Sequence, residues 1–419
     1  MMKILIVNTS DIDGGAARAS YRLHKSLLAL HVDSKMLVQN KISGDSTVIA
    51  ETSKLRKGFN KLRPTIDSLP IGFFKERTKT LFSPSWFGFS NIVDQINEMN
   101  PDIVHLHWIC GGMMTIEDIA RIKAPIVWSL HDMWAFTGGC HYDEECQGYE
   151  KECGNCKVLG SEKDHDLSKK IFKRKQKTFS QKKDITIVGI SNWLNECSKN
   201  STLLKDKNHI NLPNPLDINI FKPFDKEKAR ELWGLPKDKK LVLFGAMGGT
   251  SDPRKGFYEL MESLEEIEDS NVELVIFGSE RCEETEDLGF IVYYLGQLYD
   301  DVSLVTLYNS VDVMIVPSLQ ENLSNAIMES LACGVPVVGF DIGGNADMID
   351  HERNGYLAKP FSTKDLALGI EWVLNNYNYK ILCQNARNKV LNNFDSVVLA
   401  EKYIELYKSI VDPINETVC

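Results

Sequence analysis

A strand–helix–strand stretch in the second half of the chain constrains the fold most. Val313–Val316 is a short apolar run and Val335–Phe340 is another, and such runs are typical of strands buried on both faces. Between them, a segment that starts at Asn322 or Ser324, both good N-cap residues, and ends at Gly334 predicts a helix. Because strands buried on both faces belong to parallel sheets covered by helices, this stretch predicts an α/β fold.

Two carboxylates, Glu321 and Glu329, stand eight residues apart across the start of this predicted helix. Eight residues of continuous helix would separate them by about 12 Å and rotate them by about 80°. The pair can therefore share a ligand only if Glu321 stands in the loop and Glu329 about a turn inside the helix. Backbone N–H groups between them would then face an anion, as helix N termini do. Two solvated glutamates after a core strand are the alternative interpretation.

The glutamate pair, followed by Leu-Ala-Cys-Gly-Val-Pro-Val-Val at 331–338, resembles the donor-site signature of retaining glycosyltransferases of family 4. The resemblance covers essentially the whole chain and implies the GT-B fold, in which two Rossmann-like parallel-sheet domains face each other across a cleft. It implies an N-terminal acceptor-side domain over 1–214 and a C-terminal nucleotide-sugar-binding domain over 215–394. A terminal helix within 395–419 would return to the first domain.

The resemblance also implies which residues bind the donor and which act in catalysis. Lys255 matches the lysine that grips the donor diphosphate, Glu321 the residue that orients the sugar hydroxyls, and Glu329 the residue that binds the ribose. His131, at the carboxyl end of a predicted strand, matches a histidine placed against the donor sugar, and with Glu321 and Lys255 it forms the expected catalytic set. The further donor-binding candidates are Gly14, Gly15, Arg254, Asn322, Leu323, Ser324 and Asn325. For the two glycines, a tight turn without a ligand is the alternative.

One position departs from the family pattern. An arginine usually follows the first glycine of the loop after the strand at 240–244, and that position is Ala246 here. Arg254, beside Lys255, is our candidate for the missing positive charge, and a solvated Arg-Lys pair is the alternative. No catalytic metal is expected, because protein cations and helix N termini can stabilise the charge that develops on the leaving diphosphate.

Four of the ten cysteines lie close together in a glycine-containing loop over 138–160, an insertion that most family 4 enzymes lack. They are Cys140, Cys146, Cys153 and Cys156. Zinc prefers four thiolate or imidazole ligands, and a small loop that buries little apolar surface is stabilised by such a metal site. The cluster therefore predicts a structural zinc site. His141 could replace one cysteine. Redox or disulfide chemistry and unbound thiols are the alternatives.

Two stretches, 54–82 and 168–179, combine many basic residues with large apolar ones, a composition that suits an anionic membrane surface. For 54–82, a solvated helix pair with a buried face is the alternative. For 168–179, six positive charges could equally contact the phosphates of a nucleic acid, but no base-reading motif accompanies them. The net charge of −10 is concentrated in the second half of the chain, which argues against nucleic acid as a partner. The sequence contains neither an apolar run of membrane-spanning length nor a signal peptide. We therefore expect a cytoplasmic protein, peripheral on the inner membrane.

These features together predict a retaining glycosyltransferase that uses a UDP- or GDP-linked sugar. Its acceptor would be a glycan, and the basic apolar stretches suggest a lipid-linked oligosaccharide. The expected setting is bacterial O-antigen, capsule or exopolysaccharide assembly. A nucleotide-sugar epimerase of GT-B architecture and a non-catalytic scaffold are the alternatives. An epimerase would convert the donor without any acceptor.

Overall fold

The computed structural model describes residues 2–88, 91–245, 252–279, 289, 291–298 and 300–412. The chain divides into two compact units. Unit 1 comprises the residues up to Asn214 together with those from Val397 onward, and unit 2 comprises Pro215–Ser396. Each unit contains one parallel β-sheet with helices, which confirms the predicted α/β class with two Rossmann-like domains.

The sheet of unit 1 has seven strands in the part of the chain that the structure describes, in the order β3-β2-β1-β4-β5-β6-β7. The strands are β1 (Lys3–Ser10), β2 (Asp33–Asn40), β3 (Val48–Ile49), β4 (Ile103–Leu106), β5 (Ile126–Leu130), β6 (Ile185–Gly189) and β7 (Asn208–Asn211). Its helices are α1 (Gly15–Ala29), α2 (Lys54–Ser68), α3 (Ile92–Glu98), α4 (Asp118–Arg121), α5 (Leu167–Gln181) and α6 (Asn192–Asn200). In β1, Ile4, Leu5, Ile6 and Val7 are all buried, so both faces of the strand are covered.

The sheet of unit 2 has six strands among the described residues, in the order β10-β9-β8-β11-β12-β13. The strands are β8 (Lys240–Gly245), β9 (Val272–Phe277), β10 (Val292–Tyr294), β11 (Val313–Val316), β12 (Val337–Phe340) and β13 (Gly355–Ala358). Its helices are α7 (Lys226–Trp233), α8 (Phe257–Glu265), α9 (Asp301–Ser310), α10 (Asn325–Ala332), α11 (Asn345–Met348), α12 (Thr363–Leu374) and α13 (Tyr379–Asn393). The predicted strand–helix–strand stretch is confirmed as β11, α10 and β12.

The last helix, α14 (Ser396–Val411), packs on unit 1. Its Tyr403 and Tyr407 are buried in one apolar cluster with Ile4 and Ile6 of β1. The hydroxyl of Tyr407 also lies 2.7 Å from Nδ1 of the buried His105. No helix of the described residues is long and apolar enough to cross a membrane.

The basic stretch at 168–179 forms most of α5, and its apolar side chains are not available to a bilayer. Ile171, Phe172 and Phe179 are buried in the core of unit 1, so the prediction that this stretch binds a membrane is wrong. Lys175 is fully buried too: its ammonium donates to the carbonyl oxygens of Trp134 and Thr137. Burial lowers the pKa of Lys175 to about 7.

Helix α2, from the other basic stretch, has the opposite arrangement. Its buried side chains are the polar Asn60, Arg63 and Asp67. Its apolar residues Leu55 and Leu62 are 87% and 56% exposed. A helix that packs on a core normally buries its apolar stripe, whereas α2 leaves Leu55 and Leu62 exposed.

Candidate active site

The predicted donor-binding residues of unit 2 gather at the carboxyl ends of β8 and β11, where open α/β sheets place their ligands. The loop after β11 packs directly against the short turn at Pro253–Lys255. The backbone N–H of Leu319 donates to the carbonyl of Arg254 over 2.8 Å. Gly256 closes the turn with a φ of 72°, and a Cβ there would lie 1.8 Å from the carbonyl oxygen of Pro317. Only glycine permits this approach, which joins the two loops.

The same loop is held from its other side by the turn after β12. Gly343 has a φ of 51°, and a Cβ at this position would lie 1.8 Å from the carbonyl oxygen of Glu321. This double support places the Glu321 carboxylate against Lys255, with 2.9 Å between Oε2 and Nζ. Two residues that are 66 positions apart in sequence therefore form an ion pair.

Arg254 does not point to the same place as Lys255. Its guanidinium binds the carboxylate of Asp252, with 2.6 Å from Nη2 to Oδ2 and 3.2 Å from Nε to Oδ1. Our hypothesis that Arg254 supplies the missing positive charge stays a prediction. A diphosphate would have to share Arg254 with Asp252, as it would share Lys255 with Glu321. Ala246, the position that departs from the family pattern, lies outside the described residues.

Glu329 lies one turn inside α10, while Glu321 stands in the preceding loop, the arrangement that their spacing requires for a shared ligand. The Glu329 side chain is 3% exposed, and Oε2 accepts a hydrogen bond of 3.1 Å from the hydroxyl of Tyr308. Tyr308 is on α9 and is itself buried. Sequence reasoning missed this tyrosine, since nothing in a lone helical tyrosine signals which carboxylate it will meet.

The start of α10 is well placed for an anion. Ser324 is its N-cap residue, and its side chain makes no capping hydrogen bond within the described residues. The three residues before the helix are each less than a tenth exposed, so burial fixes this segment: Asn322, Leu323 and Ser324. Asn325 is the first residue of the helix. The backbone N–H groups of a first helical turn favour a phosphate or carboxylate.

In unit 1, Gly14 and Gly15 lie where β1 turns into α1. Gly14 is the N-cap residue with a φ of 94°, and a Cβ there would have no atom within 4 Å. The position is therefore open in front of the helix. A glycine at this turn lets a ligand approach the backbone closely.

His131 follows β5 and contacts a second histidine. Its Nε2 lies 2.9 Å from Nδ1 of His107, and the two rings are stacked with centroids 5.2 Å apart. Burial lowers the pKa of His131 to about 4 and lowers the pKa of His107 as well, so both imidazoles are neutral at pH 7. We did not predict His107 as a site residue. The sequence indicated only that His107 comes two residues after His105, at the end of the strand next to β5.

The four clustered cysteines are free thiols, and Cys140 and Cys156 are buried. Burial raises the pKa of Cys153 to about 12 and that of Cys156 to about 11. No three His, Cys, Asp or Glu side chains of the described residues are grouped so that they could hold a metal ion. Structural zinc at this loop thus stays a prediction, for metal analysis of the purified protein to test.

The option that His141 replaces one of these cysteines is wrong. Nδ1 of His141 lies 2.6 Å from Oδ2 of Asp132, and Nε2 lies 2.8 Å from the hydroxyl oxygen of Ser83. Both ring nitrogens are therefore occupied inside unit 1. Asp132 also accepts a hydrogen bond from the indole of Trp108, so the imidazole is part of a buried polar network.

Comparison with known proteins gives this geometry a context. Residues 238–376 match the family of group 1 glycosyl transferases. The chain is 28% identical over 334 residues to the uncharacterized glycosyltransferase MJ1607 of Methanocaldococcus jannaschii, covering 73% of this chain and 82% of the relative.

A second relative is the N,N'-diacetylbacillosaminyl-diphospho-undecaprenol alpha-1,3-N-acetylgalactosaminyltransferase of Campylobacter jejuni. It is 27% identical over 215 residues, which cover 49% of this chain and 56% of the relative, so the match spans about half of that enzyme. Among solved structures, HepE of Anabaena in complex with UDP and glucose superposes with a TM-score of 0.66 at 17% identity. That superposition covers 98% of this chain and 100% of the other. The likeness confirms the predicted GT-B fold. The fold is that of the GT-B glycosyltransferases, and within unit 2 residues 238–376 match group 1 glycosyl transferases.

Proposed function

We propose that this protein is a retaining glycosyltransferase of family 4. It would transfer a sugar from a UDP- or GDP-linked donor to a lipid-linked glycan in the assembly of a bacterial surface polysaccharide such as O-antigen, capsule or exopolysaccharide. The observation that carries the proposal is the meeting of Lys255, Glu321 and the start of α10 in one loop cluster of unit 2. This cluster offers a cation, a carboxylate and oriented N–H groups, which are the groups that a sugar diphosphate requires.

The proposed chemistry follows from these groups. The bond between the anomeric carbon and the diphosphate breaks, the acceptor oxygen bonds to that carbon on the same face, and the hydroxyl proton leaves with the diphosphate. Negative charge develops on the diphosphate as the bond breaks, and Lys255 and the N–H groups of α10 would stabilise it electrostatically. No carboxylate nucleophile is needed, which distinguishes this reaction from that of retaining hydrolases.

The two glutamates would hold the donor rather than transfer protons. Glu329 is buried and is held by Tyr308, so its carboxylate is fixed in place to accept hydrogen bonds from the ribose hydroxyls. Glu321 would orient the sugar hydroxyls. Its ion pair with Lys255 would have to be shared with the incoming diphosphate. Gly14, Gly15 and His131 of unit 1 stay predicted site residues, on the strength of the family resemblance alone.

Two of the similar proteins support the finer parts of the proposal. HepE binds UDP and glucose, which favours a UDP-linked donor. The donor screen described below includes GDP-linked sugars as well. The Campylobacter relative is named for a diphospho-undecaprenol acceptor, which favours a lipid-linked glycan. An epimerase is the second candidate, and it differs in needing no acceptor.

The proposed attachment to the inner face of the bacterial membrane depends on α2. Leu55, Leu62 and Leu69 recur at seven-residue spacing and are 87%, 56% and 58% exposed. Exposed basic residues surround this stripe: Lys54, Arg56, Lys57 and Lys61. An apolar stripe beside cations is typical of a helix that lies in the interface of an anionic bilayer.

The test is a donor screen with and without lipid-linked glycan acceptors, measuring release of nucleoside diphosphate. Acceptor-dependent release is expected from the wild type. Lys255→Ala and Glu329→Ala should each lose turnover by orders of magnitude while keeping the native circular dichroism spectrum. Lys237→Ala, which removes an exposed lysine of the same unit, is the matched control and should retain activity. Full turnover in either site variant, or donor conversion without an acceptor, would refute the proposal.

A further inference from the structure

Unit 1 contains a cavity of about 840 Å³ beneath α2, and the residues that line it all belong to this unit. The cavity lies between β2, α2 and the start of α3. Its walls are largely apolar and include Leu37, Val38, Phe59, Ile92 and Met113. Cavities that bind small organic ligands have this size and this mostly apolar lining, with a few polar groups that set the orientation.

The polar groups in this cavity include a buried cation. Arg63 lines the wall, its side chain is almost fully buried, and burial lowers its pKa. Its guanidinium lies over the ring of Phe59, with 5.6 Å from Cζ to the ring centroid, and donates to the carbonyl of Gly112 over 2.9 Å. A guanidinium fixed in this way is well suited to bind a phosphate.

A second polar group lacks a partner. Gln39 lines the cavity and is 8% exposed. Its Nε2 donates to the carbonyl of Gly111 over 3.3 Å, but its buried Oε1 has no hydrogen-bond partner among the described residues. An unpaired buried acceptor costs free energy, and a ligand hydroxyl or a water molecule at this place would remove the cost.

The cavity is continuous with the exposed face of α2. Leu55 and Arg56 both line it, and both stand on the outward surface of the helix. Leu55 is 87% exposed and begins the apolar stripe that continues through Leu62 and Leu69. Glu51 lines the cavity as well, and its carboxylate lies 2.8 Å from Arg56, so an anionic head at the entrance would share Arg56 with Glu51. The apolar entrance complements the hydrocarbon chain of an amphiphile, and the buried Arg63 complements its anionic head.

We propose that this cavity binds the lipid end of the acceptor, with the first part of its hydrocarbon chain against the apolar walls and its phosphate at Arg63 and Arg56. The proposal deepens the proposed function, because it assigns the lipid-linked part of the acceptor to a site of its own. The outward stripe of α2 would meet the bilayer while the cavity behind it receives one lipid from that bilayer. Lipid binding can be measured without turnover, so the two proposals can fail separately.

The probe is farnesyl phosphate, with farnesol and inorganic phosphate as controls, titrated into the full chain by calorimetry. Gln95→Trp fills the cavity from α3, since Gln95 lines it and stands away from the outward face of α2. Leu62→Ser is the matched control, because Leu62 belongs to the exposed stripe and does not line the cavity. Arg63→Met tests the phosphate contact, and thermal unfolding of each variant confirms that it is folded.

We expect the wild type and Leu62→Ser to bind farnesyl phosphate equally, and Gln95→Trp and Arg63→Met to bind at least tenfold more weakly. Farnesol should bind less tightly than farnesyl phosphate. In contrast, Leu62→Ser should weaken binding to anionic vesicles and Gln95→Trp should not.

The proposal is overturned if the wild type does not bind farnesyl phosphate or if Gln95→Trp binds it normally. An unchanged KM for a lipid-linked acceptor in Gln95→Trp would also overturn it, while leaving the proposed function intact. A protein that binds the probe but releases no nucleotide from any donor would refute the proposed function alone.

Discussion

Gly343 offers a direct test of how the donor loop is held. Replacing it with alanine adds a Cβ that would lie 1.8 Å from the carbonyl oxygen of Glu321 and 3.1 Å from its carbonyl carbon. Real Cβ atoms essentially never approach closer than 3.0 Å, so the loop must move by more than an ångström. That movement would separate Glu321 from Lys255, whose ion pair spans only 2.9 Å.

The expected magnitude has two parts. A left-handed backbone costs a residue with a Cβ about 1–2 kcal/mol, and Gly343 has a φ of 51°. Forcing additional atoms into a packed region costs about 1–3 kcal/mol more. Gly234→Ala is a matched control, because Gly234 belongs to the same unit and has a φ of 64°, yet its added Cβ would meet nothing within 4 Å. Gly234→Ala should therefore lose only the about 1–2 kcal/mol that the left-handed backbone costs.

The assay is urea unfolding of both variants, followed by calorimetric titration with UDP or GDP, whichever the enzyme uses. We expect Gly343→Ala to lose about 2–5 kcal/mol of unfolding free energy and to bind nucleotide more weakly, with Gly234→Ala losing about 1–2 kcal/mol and binding normally. Equal destabilisation of the two variants, or normal nucleotide affinity in Gly343→Ala, would show that the loop is not held by this contact.

Three further substitutions test other parts of the structure. Tyr308→Phe removes a buried hydrogen bond to Glu329 and should cost about 1.5–3 kcal/mol in urea unfolding and raise the KM for the nucleotide sugar; an unchanged KM would argue against a positioning role. Lys175→Met removes an ammonium whose pKa is lowered to about 7, so unfolding of the wild type takes up a proton between about pH 7 and 10. The wild type should therefore gain stability relative to this variant by up to about 1.4 kcal/mol per pH unit from pH 7 to 9, and a pH-independent difference would contradict the reasoning. Asp312→Asn leaves the buried Arg230 without the carboxylate that lies 2.7 Å from it, and should cost about 3–5 kcal/mol; a loss below 1 kcal/mol in urea unfolding would mean that another group compensates the charge.

Local patterns in the sequence predicted much of unit 2. The strands β11 and β12 and the helix between them follow from apolar runs, N-cap residues and a terminating glycine, which act within a few residues of each other. The α/β class and the GT-B fold were likewise predictable, because the motif at 313–344 occurs in a frame of alternating strands and helices. The family 4 assignment, the retaining mechanism and the identity of donor and acceptor stay predictions.

Side-chain partners were predicted less well, because they depend on how turns are oriented in space. Arg254 and Lys255 are adjacent in sequence, yet one binds Asp252 and the other binds Glu321. The hydroxyl of Tyr308 reaches Glu329 only because α9 and α10 pack together. No periodicity in the sequence encodes such a contact.

The two basic stretches show most clearly what the sequence determined and what it left to the tertiary structure. By composition α2 and α5 are alike, and the sequence determined that each combines several cations with large apolar residues. Only the tertiary structure decided that α5 turns Ile171 and Phe172 into the core while α2 turns Leu55 and Leu62 outward. The physical reason is that burial is set by the surfaces that surround a helix, and those surfaces come from segments that are distant in the chain.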